Sequence, residues 1–148
     1  MLALNGENMN AFFTTEIPVP LALKILVVDD EPAMRQLLCK FLEIKGYTIY
    51  EAADGVQAVE MFKTLRPNLI FLDIMLPKKD GIAVLQEIRS LDKAVGIIMM
   101  SGSSEPFRLT LAPFGADAYL QKPFRLKLLQ EHIDNVMTKA CAHHDAVY

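Results

Sequence analysis

Short apolar runs and amphipathic segments alternate along the chain from residue 24 onward. The apolar runs are rich in β-branched residues and carry their polar residues at the end, which is typical of strands buried on both faces of a sheet. We predict five strands, at 24–30, 47–52, 68–73, 95–101 and 117–121.

The segments between these runs place apolar residues at helical spacing. We predict helices over 32–45, 55–65 and 80–90, a fourth somewhere within 104–114, and a last one that begins after Pro123 and ends near Thr138 or Lys139. Pro32 suits a first helical turn, and Gly46 suits the residue just after a helix. Pro113 lacks a backbone N–H, so we expect the helix within 104–114 to be short and to end near Leu111.

Five alternations of strand and helix predict an α/β protein with a doubly wound parallel five-stranded sheet covered on both faces. The 148 residues suit one domain, which we assign to 23–139 between an N-terminal arm at 1–22 and a tail at 140–148. The tail is too short for a DNA-binding module, so we expect either a stand-alone domain, which the given length favours, or a domain cut from a longer protein.

The composition excludes several classes of partner and location. The formal charge of −3 gives no reason to expect direct nucleic-acid binding. The N-terminus lacks the pattern of a signal peptide, and no apolar run reaches the ~20 residues of a membrane span. The two cysteines fit no metal spacing, and Cys39 reads as a small buried apolar residue. We therefore expect a cytoplasmic protein.

Polar residues stand where four of the predicted strands end. They are Asp29 and Asp30, Asp73, Ser101, and Lys122 just after the last strand. Because the carboxyl ends of parallel strands share one edge of the sheet, these residues are expected to meet there. Neighbouring carboxylates repel one another, and a hard divalent cation such as Mg²⁺ relieves that repulsion.

Such a group could serve phosphoryl transfer by position and charge. Lys122 would face a bound anion as a cation, and Ser101 would donate a hydrogen bond to it. Taken singly, each residue has a plainer reading. Asp29 and Asp30 could cap the first helix, Ser101 could be a turn residue and Lys122 a solvated lysine. Their joint occurrence at four strand ends favours the functional interpretation.

Four stretches carry a close resemblance to the receiver domain of bacterial two-component response regulators. They are ILVVDDEP at 25–32, LIFLDIMLPKKDG at 69–81, IIMMSG at 97–102 and GADAYLQKPF at 115–124. The resemblance covers residues 23 to 139. It implies a (βα)5 fold with the flavodoxin-like strand order 2-1-3-4-5.

The resemblance also implies a nucleophile and a metal site. Asp73 matches the aspartate that accepts the phosphoryl group. Asp30 matches the direct Mg²⁺ ligand, Asp29 the neighbour that often acts through water, and Met75 the residue whose backbone carbonyl completes the protein ligands. Relatives often carry a polar side chain where Met75 stands, so the lifetime of a phosphorylated state stays open.

Three further residues match the switch and the phosphate contact of the family. Ser101 matches the switch hydroxyl, Tyr119 the switch aromatic residue, and Lys122 the lysine that contacts the phosphoryl group. The family commonly has a cis peptide bond after this lysine, so we expect one at Lys122–Pro123.

The resemblance implies a signalling module rather than an enzyme, with at most slow autodephosphorylation. Its phosphodonor would be a sensor histidine kinase or a histidine phosphotransfer protein, and its downstream target is a protein that the sequence does not name. A second hypothesis is a pseudo-receiver that binds its partner without phosphorylation. A third, a phosphatase with an aspartyl-phosphate intermediate, is disfavoured because Met75 stands where such enzymes place a second aspartate.

Overall fold

The structure is a computed structural model that describes residues 22–102 and 115–145, with side chains through residue 139. The helix expected within 104–114, its predicted end near Leu111 and nearly all of the N-terminal arm lie outside these residues. None of the helices within the described ranges is both long enough and apolar enough to cross a membrane.

Five strands form one sheet in which every neighbouring pair is parallel. They are β1 (Lys24–Val28), β2 (Thr48–Ala52), β3 (Leu69–Asp73), β4 (Gly96–Ser101) and β5 (Ala118–Gln121). Their order across the sheet is β2-β1-β3-β4-β5, which confirms the predicted strand order. β1, β3 and β4 are central, and their apolar residues are fully or almost fully buried.

Four helices accompany the strands in the described part of the chain. They are α1 (Pro32–Ile44), α2 (Gly55–Leu65), α3 (Gly81–Leu91) and α4 (Leu126–Asp145). Asp54 and Asp80 cap α2 and α3, each accepting a backbone N–H from three residues ahead at 2.8 and 2.9 Å. Pro32 opens α1, and Gly46 follows that helix with a φ of +95°, both as the sequence predicts.

The end of the last helix differs from the prediction. We expected α4 to stop near Thr138 or Lys139, where its apolar stripe ends, but the helix continues to Asp145. Residues 140–145 contain no glycine or proline, and alanine, which occurs there twice, is the strongest helix former. Apolar spacing therefore marked where α4 packs and not where it ends.

The helices cover both faces of the sheet, as expected for a doubly wound fold. Alternate strand residues such as Leu26 and Ile70 share a buried cluster with Phe62 of α2 and Leu85 of α3. Their neighbours, such as Ile25 and Phe71, share a second cluster with α1 and α4. Each fully buried side chain of this size contributes about 1.5–3 kcal/mol, so the two clusters hold the central strands rigidly.

Cys39 lies in the second cluster and is buried, as the sequence predicts. Burial, followed by the charge of Glu51 and a hydrogen bond from the thiol to its carboxylate, raises the pKa of Cys39 to about 12. A thiol with this pKa is almost entirely protonated at neutral pH, and the thiolate is the reactive form.

We predict that native Cys39 resists thiol reagents. In a Cys141→Ser variant, which leaves Cys39 as the only thiol, the thiolate fraction at pH 8 should be roughly 10⁻⁴, against about a quarter for a free cysteine. Labelling by a chromogenic disulfide should therefore be slow in the folded protein and fast in guanidinium chloride. Complete labelling of the native protein within minutes would contradict the buried assignment.

Candidate functional site

Lys122 brings the ends of three strands together. Its Nζ lies 2.7 Å from Oδ2 of Asp29, just past β1, and 3.0 Å from Oδ2 of Asp73, the last residue of β3. Its backbone N–H donates to the carbonyl of Ser101 at the end of β4, at 2.7 Å. The predicted meeting of these four residues at one sheet edge is therefore present in the structure.

Asp29 is fully buried and is held from several sides. Its backbone N–H donates to the carbonyl of Ala52 at 3.1 Å, and its Oδ1 accepts the N–H of Glu31 at 2.9 Å. The N-cap residue of α1 is Glu31, and its own side chain makes no capping hydrogen bond. The plainer reading, in which Asp29 or Asp30 serves as the helix cap, is thus not what the structure shows.

Asp73 occupies the end of the central strand, and the chain turns sharply behind it. The N–H of Gly81 donates to the carbonyl of Ile74 at 2.8 Å, and a Cβ at position 81 would lie only 2.1 Å from the carbonyl oxygen of Asp73. Glycine at 81 therefore allows α3 to begin directly against the end of β3. The N–H of Met75 donates to Oδ1 of Asp73 at 3.2 Å. The side chain of Asp73 is only 8 % exposed.

Three carboxylates at this edge have the chemistry of a cation site. One oxygen from each of Asp29, Asp30 and Asp73 lies within 4.8 Å of the other two. Oxygens on opposite sides of Mg²⁺ are about 4 Å apart, and Mg²⁺ usually keeps several waters. Asp30 is exposed whereas the other two acids are buried, so the group faces solvent on one side. The donor set fits Mg²⁺.

The charges at this edge do not balance without a cation. Three carboxylates and the Lys122 ammonium leave a net charge of −2. Burial raises the pKa of Asp73, and the neighbouring Asp29 adds to this, although Lys122 and the Met75 N–H oppose it. Burial alone would lower the pKa of Lys122, but hydrogen bonds to Asp29 and Asp73 outweigh it and raise the pKa. Lys122 therefore stays charged at neutral pH.

The predicted switch residues flank this group. Ser101 is buried at the end of β4. Tyr119 is half-buried in β5 and packs against the cluster that α2 and α3 share with the sheet. The Lys122–Pro123 peptide bond is cis, as expected. The side chain of Met75 is 70 % exposed, and its predicted role as a carbonyl ligand stays a prediction.

One contact at this edge was not predicted from the sequence. Nη1 of Arg35, in the first turns of α1, donates to the carbonyl oxygen of Asp29 at 2.7 Å. An arginine four residues into an amphipathic helix looks like an ordinary solvated residue, so no signal in the sequence singles it out. The guanidinium reaches this carbonyl because α1 begins only a few residues after β1 ends.

A sequence profile described as the response regulator receiver domain matches residues 25–134. The chain belongs to this family. Two curated relatives are a probable transcriptional regulator, ycf27, of Porphyridium aerugineum and the chemotaxis protein CheY of Halobacterium salinarum. The ycf27 protein is 44% identical over 117 residues, which cover 78% of this chain and 48% of the relative. The CheY protein is 38% identical over 119 residues, which cover 80% of this chain and 99% of the relative.

Solved structures resemble the whole receiver fold. A CheY-like receiver domain protein from Methanospirillum hungatei has a TM-score of 0.79 and 27% identity, covering 83% of this chain and 99% of that one. NtrX from Brucella abortus, solved with ADP, has a TM-score of 0.81 and 28% identity. The match covers 86% of this chain and 30% of the NtrX chain. The chain spans about half the length of the first curated relatives it matches. It is a receiver domain of the response regulators of two-component systems.

We predict that replacing Lys122 destabilises the metal-free receiver strongly. Lys122→Met leaves two buried carboxylates without their cation, which should cost about 3 kcal/mol in the free energy of unfolding at pH 7. Uncompensated carboxylates have raised pKa values, so the loss should shrink as the pH falls towards 5 and the acids protonate. Urea unfolding in EDTA at both pH values measures this, and Mg²⁺ should restore part of the lost stability.

Lys79→Met is the matched control for this prediction. Lys79 also makes a 2.7 Å ion pair, with Glu87, but both side chains are about a third exposed. The loss should therefore be below about 1 kcal/mol and insensitive to Mg²⁺. Equal losses in the two variants would show that Lys122 is not compensating buried charge.

Proposed function

We propose that this receiver accepts a phosphoryl group on Asp73 in a Mg²⁺-dependent reaction. The donor is the phosphohistidine of a sensor histidine kinase or of a histidine phosphotransfer protein. The observation that carries the proposal is the position of Asp73: at the end of a central strand, in contact with Lys122 and beside two further carboxylates.

The chain's own residues prepare Asp73 for in-line attack. The N–H of Met75 binds Oδ1 and Lys122 binds Oδ2, so the carboxylate has one orientation. As a carboxylate oxygen forms its bond to phosphorus, the bond from phosphorus to the donor's imidazole nitrogen breaks, and that nitrogen keeps the electron pair. Lys122 provides positive charge for the oxygens of the transferred group.

A divalent cation held by Asp29, Asp30, Asp73 and the Met75 carbonyl would neutralise the negative charge of the incoming phosphoryl group. The fit of the three carboxylates and their net excess of negative charge support this assignment.

The acyl phosphate would then bias a two-state equilibrium within the receiver. Ser101, at the end of the strand next to β3, is suited to donate a hydrogen bond to the new phosphoryl oxygens. Tyr119 lies one strand further, in β5, opposite Met99 of β4. An inward movement of Ser101 would open space for Tyr119 and so change the surface that binds a downstream protein.

We predict phosphorylation at Asp73 by a small donor. Incubation of the full chain with acetyl phosphate and Mg²⁺ should add one phosphoryl group, seen by intact mass, and Asp73→Asn should show none. EDTA should abolish the adduct because the carboxylates then repel the donor. Asp80→Asn, which changes an exposed helix cap instead, is the matched control and should load normally.

Absence of an adduct on the wild type, with this donor and with histidine kinases, would contradict the proposal. Binding of a downstream protein that is equal for the wild type and Asp73→Ala would then favour the pseudo-receiver hypothesis.

We predict that Ser101 couples the phosphoryl group to Tyr119. Ser101→Ala should still accept the group but lose the change in the Tyr119 ring resonances on loading, observed by NMR with labelled tyrosine. Ser90→Ala removes a hydroxyl that bonds to the Glu87 carbonyl far from the site and should keep the full change. An unaltered Tyr119 response in Ser101→Ala would exclude the hydroxyl as the link.

A further inference from the structure

Arg35 connects α1 to the backbone that carries the acidic cluster. Its Nη1 donates to the carbonyl oxygen of Asp29 at 2.7 Å, and its Nε donates to Oε1 of Glu51 at the end of β2, at 3.1 Å. The Arg35 side chain is only 19 % exposed. Two acceptors in different strand ends fit the planar fork of a guanidinium, which a lysine could not satisfy together.

These bonds determine how Asp30 is presented. The carbonyl of Asp29 belongs to the peptide group before Asp30, and Arg35 binds it. The N–H of Glu31 belongs to the peptide group after Asp30, and Oδ1 of Asp29 accepts it at 2.9 Å. Both peptide groups that flank Asp30 are therefore held, although the residue itself is exposed.

Glu51 in turn holds the guanidinium. Its carboxylate oxygen Oε1 accepts from Nε of Arg35 at 3.1 Å. The guanidinium is thereby held between two acceptors, one just after β1 and one near the end of β2.

We propose that Arg35 is a positioning residue for the divalent cation: by holding the Asp29 carbonyl it aims the Asp30 carboxylate towards those of Asp29 and Asp73. This inference rests on the Mg²⁺ site of the proposed function. It assigns Arg35 no contact with the cation or the phosphoryl group.

The sign of the effect separates positioning from simple charge. A guanidinium near the cluster repels a divalent cation, so loss of its charge alone would make Mg²⁺ bind more tightly. Loss of a residue that aims a ligand makes Mg²⁺ bind more weakly, by about 10-fold for partners that orient metal ligands. A residue that only supports the fold would leave the affinity of the folded protein unchanged.

The test is isothermal titration of Mg²⁺ into the full chain without a phosphodonor. Arg35→Met should raise the dissociation constant about 10-fold. Arg35→Lys should recover only part of the loss because one ammonium cannot reach both acceptors. Unchanged or tighter binding by folded Arg35→Met would overturn the inference.

Arg89→Met is the matched control, and Arg89 lies at the opposite end of the strands, where β4 and β5 begin. Arg89 is 14 % exposed and donates to the Val95 carbonyl at 2.6 Å and to Oδ2 of Asp117 at 2.7 Å, before β4 and β5 begin. Its loss should lower stability without changing Mg²⁺ affinity. An equal loss of affinity in this variant would reduce Arg35 to general support of the fold and overturn its positioning role.

Two measurements keep the outcomes distinct. If Arg35→Met does not fold, Glu51→Ala is the second variant, because it keeps Arg35 but removes the carboxylate that holds its guanidinium. Glu51→Ala should weaken Mg²⁺ binding. Unchanged binding in this variant would overturn the inference. A wild type that binds Mg²⁺ but never loads would defeat the proposed function and leave this inference standing, whereas a wild type that binds no Mg²⁺ defeats both.

Discussion

Lys122 places one positive charge between two carboxylates that the sheet would otherwise hold in an apolar interior. Asp29 is fully buried and Asp73 nearly so, and a buried carboxylate without a partner costs several kcal/mol. The ammonium lies 2.7 and 3.0 Å from their oxygens, and its own backbone N–H is tied to β4. The ends of β1, β3 and β4 can therefore share one small volume, which is the condition for any site at this edge.

The compensation is incomplete, and this gives the site its chemical character. With Asp30 included, the edge keeps a net charge of −2, which a divalent cation would cancel. A fully neutralised group would be a structural ion-pair network with little attraction for a cation. The excess negative charge and the solvent-facing side of the cluster are what favour a metal site over a purely structural one.

The rigid scaffold and the acids depend on each other. Two apolar clusters, one on each face, hold β1 and β3 so that Asp29 and Asp73 project from fixed points. Gly81 lets α3 begin against the carbonyl of Asp73, and Arg35 ties α1 to the carbonyl of Asp29. Helices α1 and α3, on opposite faces of the sheet, thus contact backbone groups at the same edge. A movement of these backbone groups would therefore shift helices on both faces.

The sequence by itself determined the fold and most of the residues that meet at this edge of the sheet. Near-continuous apolar runs alternating with helical spacing allow few arrangements other than a covered parallel sheet, and parallel strands bring their terminal Asp29, Asp73 and Ser101 to one edge. The predicted end of α4 was wrong because apolar spacing indicates which part of a helix packs against the sheet. The helix itself continues to Asp145, through residues that include no glycine or proline to stop it. Only the tertiary structure decided that Lys122 binds Asp29 as well as Asp73, and that Arg35 reaches a backbone carbonyl. Such contacts depend on where side chains point in the folded protein, which the spacing of residues along the chain does not give. Every residue has a backbone carbonyl, so a carbonyl acceptor cannot be recognised from the residue type.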